Sequence, residues 1–136
     1  MRALIDLMIH AGQGQVTLAS IAERNGISPQ YLEQVFAGLR RGGIVNSIKG
    51  PNGGYVLAEE PAAISIADVV EALEGTYLLE DEAIGKANDF IVETLQAVVI
   101  DGFNQQTEAF LRRITLADLL REYEAKSGAV ENMYFI

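Results

Sequence analysis

The stretch ISPQYLEQVFAGLRRGGIVNSIKGPNGGYVL, residues 27–57, changes its hydrophobic period halfway along, and that change decides the fold. Its first part opens on Ser28-Pro29. A serine hydroxyl can accept from a free N–H of the first turn, and proline gives up a donor that is not needed there. Leu32, Val35, Phe36 and Leu39 then recur at i, i+3, i+4 and i+7, so one stripe is buried and Gln30, Tyr31, Glu33, Gln34, Arg40 and Arg41 are left mainly on the other faces. Gly42-Gly43 stops the helix. Beyond it, Ile44, Val45 and Ile48, then Tyr55, Val56 and Leu57, are β-prone runs on either side of a glycine-rich loop. They read as a hairpin with its tip at Gly50 to Gly54.

Upstream, MRALIDLMIHAG places Ala3, Leu4, Leu7, Met8 and Ala11 on a helical rhythm, with no capping residue before Arg2. This first helix is expected to lack its own beginning. After a turn at Gly12 to Gln15, Thr17 can cap a short helix with Leu18, Ile21 and Ala22 inward, ended by Asn25-Gly26. Helix, helix, turn, helix and hairpin within about 57 residues is the outline of a winged helix-turn-helix.

Downstream, Ser65 and Asp68 form a helix-start pair in SIADVVEALEG, and Thr115 and Asp118 repeat it before Leu116, Leu119, Leu120 and Tyr123. Residues 75–88 read as an acidic loop. From Asp89 to Arg113, Phe90, Ile91, Leu95, Val98, Val99, Phe103 and Phe110 follow a helical period, with a bend expected at Gly102. The apolar positions cover more than one face. This favours a subunit interface over the alternative, a helix buried within one chain. The tail ends in Met133-Tyr134-Phe135-Ile136, an apolar segment expected to dock on something. The expected fold class is mainly α with a small β-hairpin. A winged helix-turn-helix domain occupies residues 1–75, and residues 76–136 form an effector and dimerisation region with a long helix and a C-terminal helix.

Composition sets limits on chemistry. The 136 residues contain no cysteine and one histidine, His10, so disulfides, thiolate-held zinc, cysteine-ligated iron–sulfur clusters and cysteine nucleophiles have no ligands or nucleophile to use. No metal and no cofactor is expected, and His10 reads as a structural residue near a helix end. No Ser-His-Asp set or Walker loop is present, and GPNGG lies between strands instead of between a strand and a helix, so no enzyme is expected. No apolar run approaches the ~18 residues of a bilayer span and the start lacks a signal-peptide layout, which predicts a cytoplasmic protein with no membrane partner. The net charge of −9 argues against nucleic acid, but its distribution does not. Residues 1–57 hold Arg2, Arg24, Arg40, Arg41 and Lys49 against Asp6, Glu23 and Glu33, whereas the remainder is strongly acidic. Such asymmetry fits a nucleic-acid-facing module on an acidic body. Two functions stay open at this level: a DNA-binding regulator, and a winged-helix protein-interaction module without direct DNA function.

The segments ISPQYLEQVFAGLRRGGIVNSIKGPNGGYVLAEEP, SIADVVEALEG and ITLADLL together resemble the Rrf2 family of bacterial winged-helix transcription regulators. The resemblance implies a homodimer on double-stranded DNA with palindromic operators, its recognition helix in the major groove and its wing in the neighbouring minor groove. Carried onto this chain, it puts Ser28, Gln30, Tyr31, Glu33 and Gln34 at the groove. Lys49 stands where the family often has a wing arginine, beside Gly50, Asn52 and Gly53. By their chemistry, Gln30 and Gln34 can pair with adenine, Glu33 can accept from cytosine, and Tyr31 can pack on a thymine methyl or a phosphate. Arg24, Arg40, Arg41 and Lys49 are candidates for phosphate, against the alternative of solvated surface charges, and Glu33 has the alternative of pairing with Arg40. The wing glycines are expected to let backbone approach the groove.

Two departures matter. Family members usually begin about ten residues earlier, so DNA affinity is expected to be reduced in this form. The family's iron–sulfur sensors place three cysteines in the loop that reads GTYLLEDEAIGKAND here. The resemblance therefore narrows to cluster-free, CymR-like repressors of cysteine metabolism, and implies cysteine synthase as a partner gripped through Tyr134, Phe135 and Ile136. The alternative for Tyr134 and Phe135 is packing on the second subunit.

Overall fold

Local capping chemistry sets most of the helix boundaries in the computed structural model, which describes residues 1–13, 16–50, 53–81 and 89–134. Helix α1 spans Arg2–His10. Helix α2 spans Leu18–Asn25, with the Thr17 hydroxyl accepting from the Ser20 N–H and Gly26 closing it at φ 62°. Helix α3 spans Pro29–Arg41 behind Ser28, whose hydroxyl faces the Tyr31 N–H at a long 3.5 Å. The two glycines after α3 do different things. Gly43, at φ 76°, is the left-handed stop. Gly42 is a packing residue, because a Cβ there would stand 2.4 Å from the Ala72 Cβ of the next helix.

Strands β1 (Val45–Ile48) and β2 (Gly54–Leu57) pair antiparallel from Val45↔Leu57 to Ile48↔Gly54. The tip is thus residues 49–53, one position earlier than the sequence suggested. Asn52 and Pro51 lie outside the described residues. A third element is added by Val16, which bridges Tyr55 and accepts from its N–H at 3.0 Å. This contact explains glycine at 54: a Cβ would lie 2.6 Å from the Val16 carbonyl oxygen. At Gly53 it would lie 2.8 Å from the Ile48 carbonyl oxygen, and Gly50 sits at φ 133°. The hairpin itself requires each of these glycines, whether or not DNA is present.

Since backbone atoms do not yield cheaply, Gly54→Ala should lower stability by about 2 kcal/mol in urea unfolding. Gly128→Ala, inside the last helix with open space around it, should instead raise stability by about 0.5–1 kcal/mol.

Helix α4 (Ile66–Glu74) begins with the reciprocal pair Ser65 and Asp68. Asp68 N–H donates to Ser65 Oγ at 3.1 Å and Ser65 N–H to Asp68 Oδ2 at 2.9 Å. The backbone is helical from Phe90 to Arg113: α5 (Phe90–Leu95), a π-type stretch at Gln96–Ile100, then α6 (Asp101–Arg113). The irregularity lies before Gly102, which sits inside α6 without a break. Helix α7 spans Leu116–Tyr134, behind a second reciprocal pair of Thr115 and Asp118. The two capped starts are joined: Ile66 N–H donates to the Ile114 carbonyl and Leu116 N–H to the Ile64 carbonyl, each at 2.9 Å.

Leu116, with no exposure, thereby enters the core formed by Leu4, Leu7, Ile21, Leu32, Phe36, Leu39, Val45 and Val69. The C-terminal helix is anchored to the winged domain by a buried leucine and a backbone bridge. Phe135 and Ile136 lie outside the described residues, and Tyr134 is described only as the end of α7.

Candidate nucleic-acid interface

On α3 the buried Leu32, Phe36 and Leu39 fix which face is left for solvent. Gln30, Glu33, Gln34, Ala37 and Arg41, at i, i+3, i+4, i+7 and i+11, fall on one stripe of the opposite side. Gln30, Tyr31, Glu33, Gln34, Arg40 and Arg41 are all exposed, Tyr31 at 60%. Ser28 stands at the entrance of the helix, exposed beside its first turn. Sequence reasoning passed over Ala37. Its position in the middle of the polar stripe was available from the period, and it is half-buried where its neighbours Glu33, Gln34 and Arg41 are exposed.

The wing is held to the same helix. The Phe36 and Tyr55 rings pack with centroids 4.9 Å apart and tilted by 60°, so β2 is indexed to the buried side of α3. Lys49 and Gly50 are exposed at the tip, with Gly53 half-buried behind them. Lys49, Arg40 and Arg41 form no ion pair among the described residues, and the same is true of Glu33. The pairing of Glu33 with Arg40 is not found.

Arg24 does not stand with the free cations. Its Nη2 lies 2.6 Å from Asp6 Oδ1 and its Nε 2.9 Å from Oδ2, in a two-pronged clasp between α2 and α1. Asn25 Nδ2 adds a bond of 3.0 Å to the same carboxylate. Asp6 is the only buried charged residue among those described, and the Arg24 guanidinium holds its carboxyl below the usual carboxylate range. His10 Nδ1 donates to the Asp6 carbonyl at 3.0 Å, which agrees with its expected structural place.

Among the described residues, no group of three or more histidine, cysteine, aspartate or glutamate side chains could hold a metal ion, and no helix is long and apolar enough to cross a membrane. With no cysteine anywhere in the chain, the soft thiolate donors of an iron–sulfur cluster are missing, so the residues do not fit that group.

A helix-turn-helix whose third helix presents a polar stripe, with a hairpin wing locked to it, defines the winged-helix class of DNA-binding transcription regulators. Comparison with known proteins narrows the class. Residues 1–122 match the Rrf2 family, described as iron-dependent transcriptional regulators. The chain belongs to that family. It is 36% identical over 126 residues to the HTH-type transcriptional regulator IscR of Yersinia pseudotuberculosis, across 90% of this chain and 74% of that one. Among solved structures it is similar to CymR, the global cysteine regulator of B. subtilis, with TM-score 0.71 and 33% identity over 87% of each chain. It is also similar to T. potens IscR, with TM-score 0.70 and 39% identity over 92% of this chain and 82% of that one.

Proposed function

We propose that the protein is a homodimeric repressor that binds palindromic operators without an iron–sulfur cluster and serves sulfur or cysteine metabolism. The observation that carries the DNA reading is the exposed stripe of α3 beside a wing of fixed register, with the nearby cations Arg40, Arg41 and Lys49 in no ion pair among the described residues. Unpaired cations lose little on meeting phosphates, and uncommitted glutamines can face base edges. Ser28, Gln30, Tyr31, Glu33 and Gln34 would lie at the major groove, and Lys49, Gly50, Asn52 and Gly53 at the minor groove. Residues 1–75 would act as the DNA-binding unit and residues 76–136 as the effector and dimerisation unit, in the cytoplasm.

The dimer reading rests on Phe90, Ile91, Leu95, Val98, Val99, Phe103 and Phe110, all exposed on the single chain. Likeness to CymR, a cysteine regulator, supports the metabolic assignment, and the missing thiolates support the cluster-free one. Cysteine synthase would be the partner, held through Tyr134, Phe135 and Ile136.

Selecting DNA from a random pool with the full-length protein tests the reading. Recovery of a two-fold symmetric, salt-sensitive site supports it. Failure to enrich any sequence would favour an interaction module, to which the net charge of −9 lends some weight. On the selected site, Gln34→Ala should relax preference at one base position by about 1–3 kcal/mol, and Lys49→Ala should weaken all sequences alike and lower the salt slope by about 1.

A further inference from the structure

The strongest group of charges outside the α3 face surrounds Arg112 on α6. Its Nη1 lies 3.0 Å from Asp68 Oδ1, its Nη2 2.5 Å from Glu71 Oε1, and its Nε 2.6 Å from Glu108 Oε1. Three carboxylates from two helices share one guanidinium. Two of them have further partners. The other Asp68 oxygen accepts from the Ser65 N–H at the start of α4, and the other Glu108 oxygen accepts from the Tyr77 hydroxyl.

Tyr77 belongs to the segment that follows α4, and that segment is fastened to α6 a second time. Asn104 accepts from the Leu79 N–H at 2.8 Å and donates to the Leu79 carbonyl at 3.1 Å, as a neighbouring strand would. The far end of the path is equally tight. Ala72 of α4 lies against Gly42, at the end of α3, so closely that no Cβ fits at position 42. This contact is the place where the position of α4 bears directly on the end of α3.

We propose that Arg112 is a positioning residue for DNA binding, which couples the 76–81 segment, through Glu108 on one side and Asp68 and Glu71 on the other, to the placement of α3. This rests on the DNA reading given above. The pairs are about 40% exposed, so they add little to stability as pairs; their effect is geometric. Loss of the guanidinium would do more than free α4. It would leave the carboxylates of α4 and α6 facing one another with like charge, which pushes the two helices apart. A ligand or partner that pulls Tyr77 from Glu108 would loosen the same path from its outer end.

The test uses the full chain, the DNA it selects, and two variants. Arg112→Ala and Tyr77→Phe should each weaken binding by about tenfold, a typical coupling between sites, with the salt slope unchanged because no phosphate contact is lost. Amide hydrogen exchange at residues 38–42 should speed up in both. Tyr77→Phe removes one hydroxyl, so it keeps the test open should Arg112→Ala fold poorly. Unchanged affinity in Tyr77→Phe, or unchanged exchange at residues 38–42, would overturn the coupling. If the wild-type chain selects no DNA, the DNA reading fails by itself, and the exchange measurement still decides whether the segment and α3 are coupled.

Discussion

The double variant Val98→Asp/Phe103→Asp should sediment as a monomer and lose at least about a hundredfold in affinity for the selected operator, because each half-site then binds alone instead of through a linked pair. The two side chains are 71% and 48% exposed on the single chain, so charge placed there meets water and leaves the fold of the monomer intact. In an apolar interface between two copies, the same carboxylates would be stripped of water without a partner, which costs several kcal/mol. The effect therefore separates dimerisation from folding. Sedimentation equilibrium and gel shift on the same samples read both quantities, with circular dichroism to verify helix content. A variant that stays dimeric, or a wild-type chain that is itself monomeric, would show that the apolar helix face serves something other than self-association.

Why that face was legible in sequence, yet blurred, follows from the backbone. From Phe90 to Ile100 the apolar positions suited no single 3.6-residue stripe, and the structure has a π-type stretch at Gln96–Ile100. Bonding from i to i+5 shifts the register, and Val98 and Val99 are both exposed, as Phe90 and Ile91 are before the shift. A fixed period applied across such a shift spreads the apolar residues over extra faces, and the bend expected at Gly102 is replaced by an irregularity that precedes it.

The elements that could be read in advance are those whose determinants lie within four residues of one another. Thr17, the Ser65–Asp68 box, the matching Thr115–Asp118 pair and the stripe of Leu32, Phe36 and Leu39 are all of this kind. What stayed hidden needs two distant segments to meet. Val16 is a single bridge residue with no period of its own, and the glycines at 53 and 54 cannot be explained until the carbonyls they approach are placed. Gly42 carries the same lesson, since only the crossing of α3 with α4 separates its role from that of Gly43. The polar stripe of α3 and the hairpin were both legible from their own residues, but the Phe36–Tyr55 contact that fixes the wing against α3 was not.

Arg24 is the sharpest case, and it can be decided by experiment. From its neighbours alone it resembled Arg40 and Arg41 as a cation for phosphate, while its partner Asp6 lies on another helix. Removing the arginine leaves a carboxylate whose side chain is only 10% exposed, with Asn25 and His10 as its remaining support, so Arg24→Ala should cost about 3 kcal/mol in urea unfolding at neutral pH. Asp6→Ala should cost less, about 1–2 kcal/mol, because the Arg24 side chain is already 36% exposed and its charge can turn to water.

The pH dependence has a definite sign. Arg24 depresses the folded-state pKa of Asp6, so this contribution is full above the unfolded carboxylate value of about 3.9 and is lost as pH falls through the lower folded value. Wild-type stability should therefore fall on acidification below about pH 4, and Asp6→Asn should flatten that part of the curve. On DNA the two kinds of cation should separate: at a temperature where every variant is folded, Lys49→Ala lowers the salt slope by about 1 and Arg24→Ala leaves it unchanged. An Arg24→Ala protein that unfolds like the wild type but shows the reduced slope would return Arg24 to the phosphate contacts and leave the clasp on Asp6 without weight in the fold.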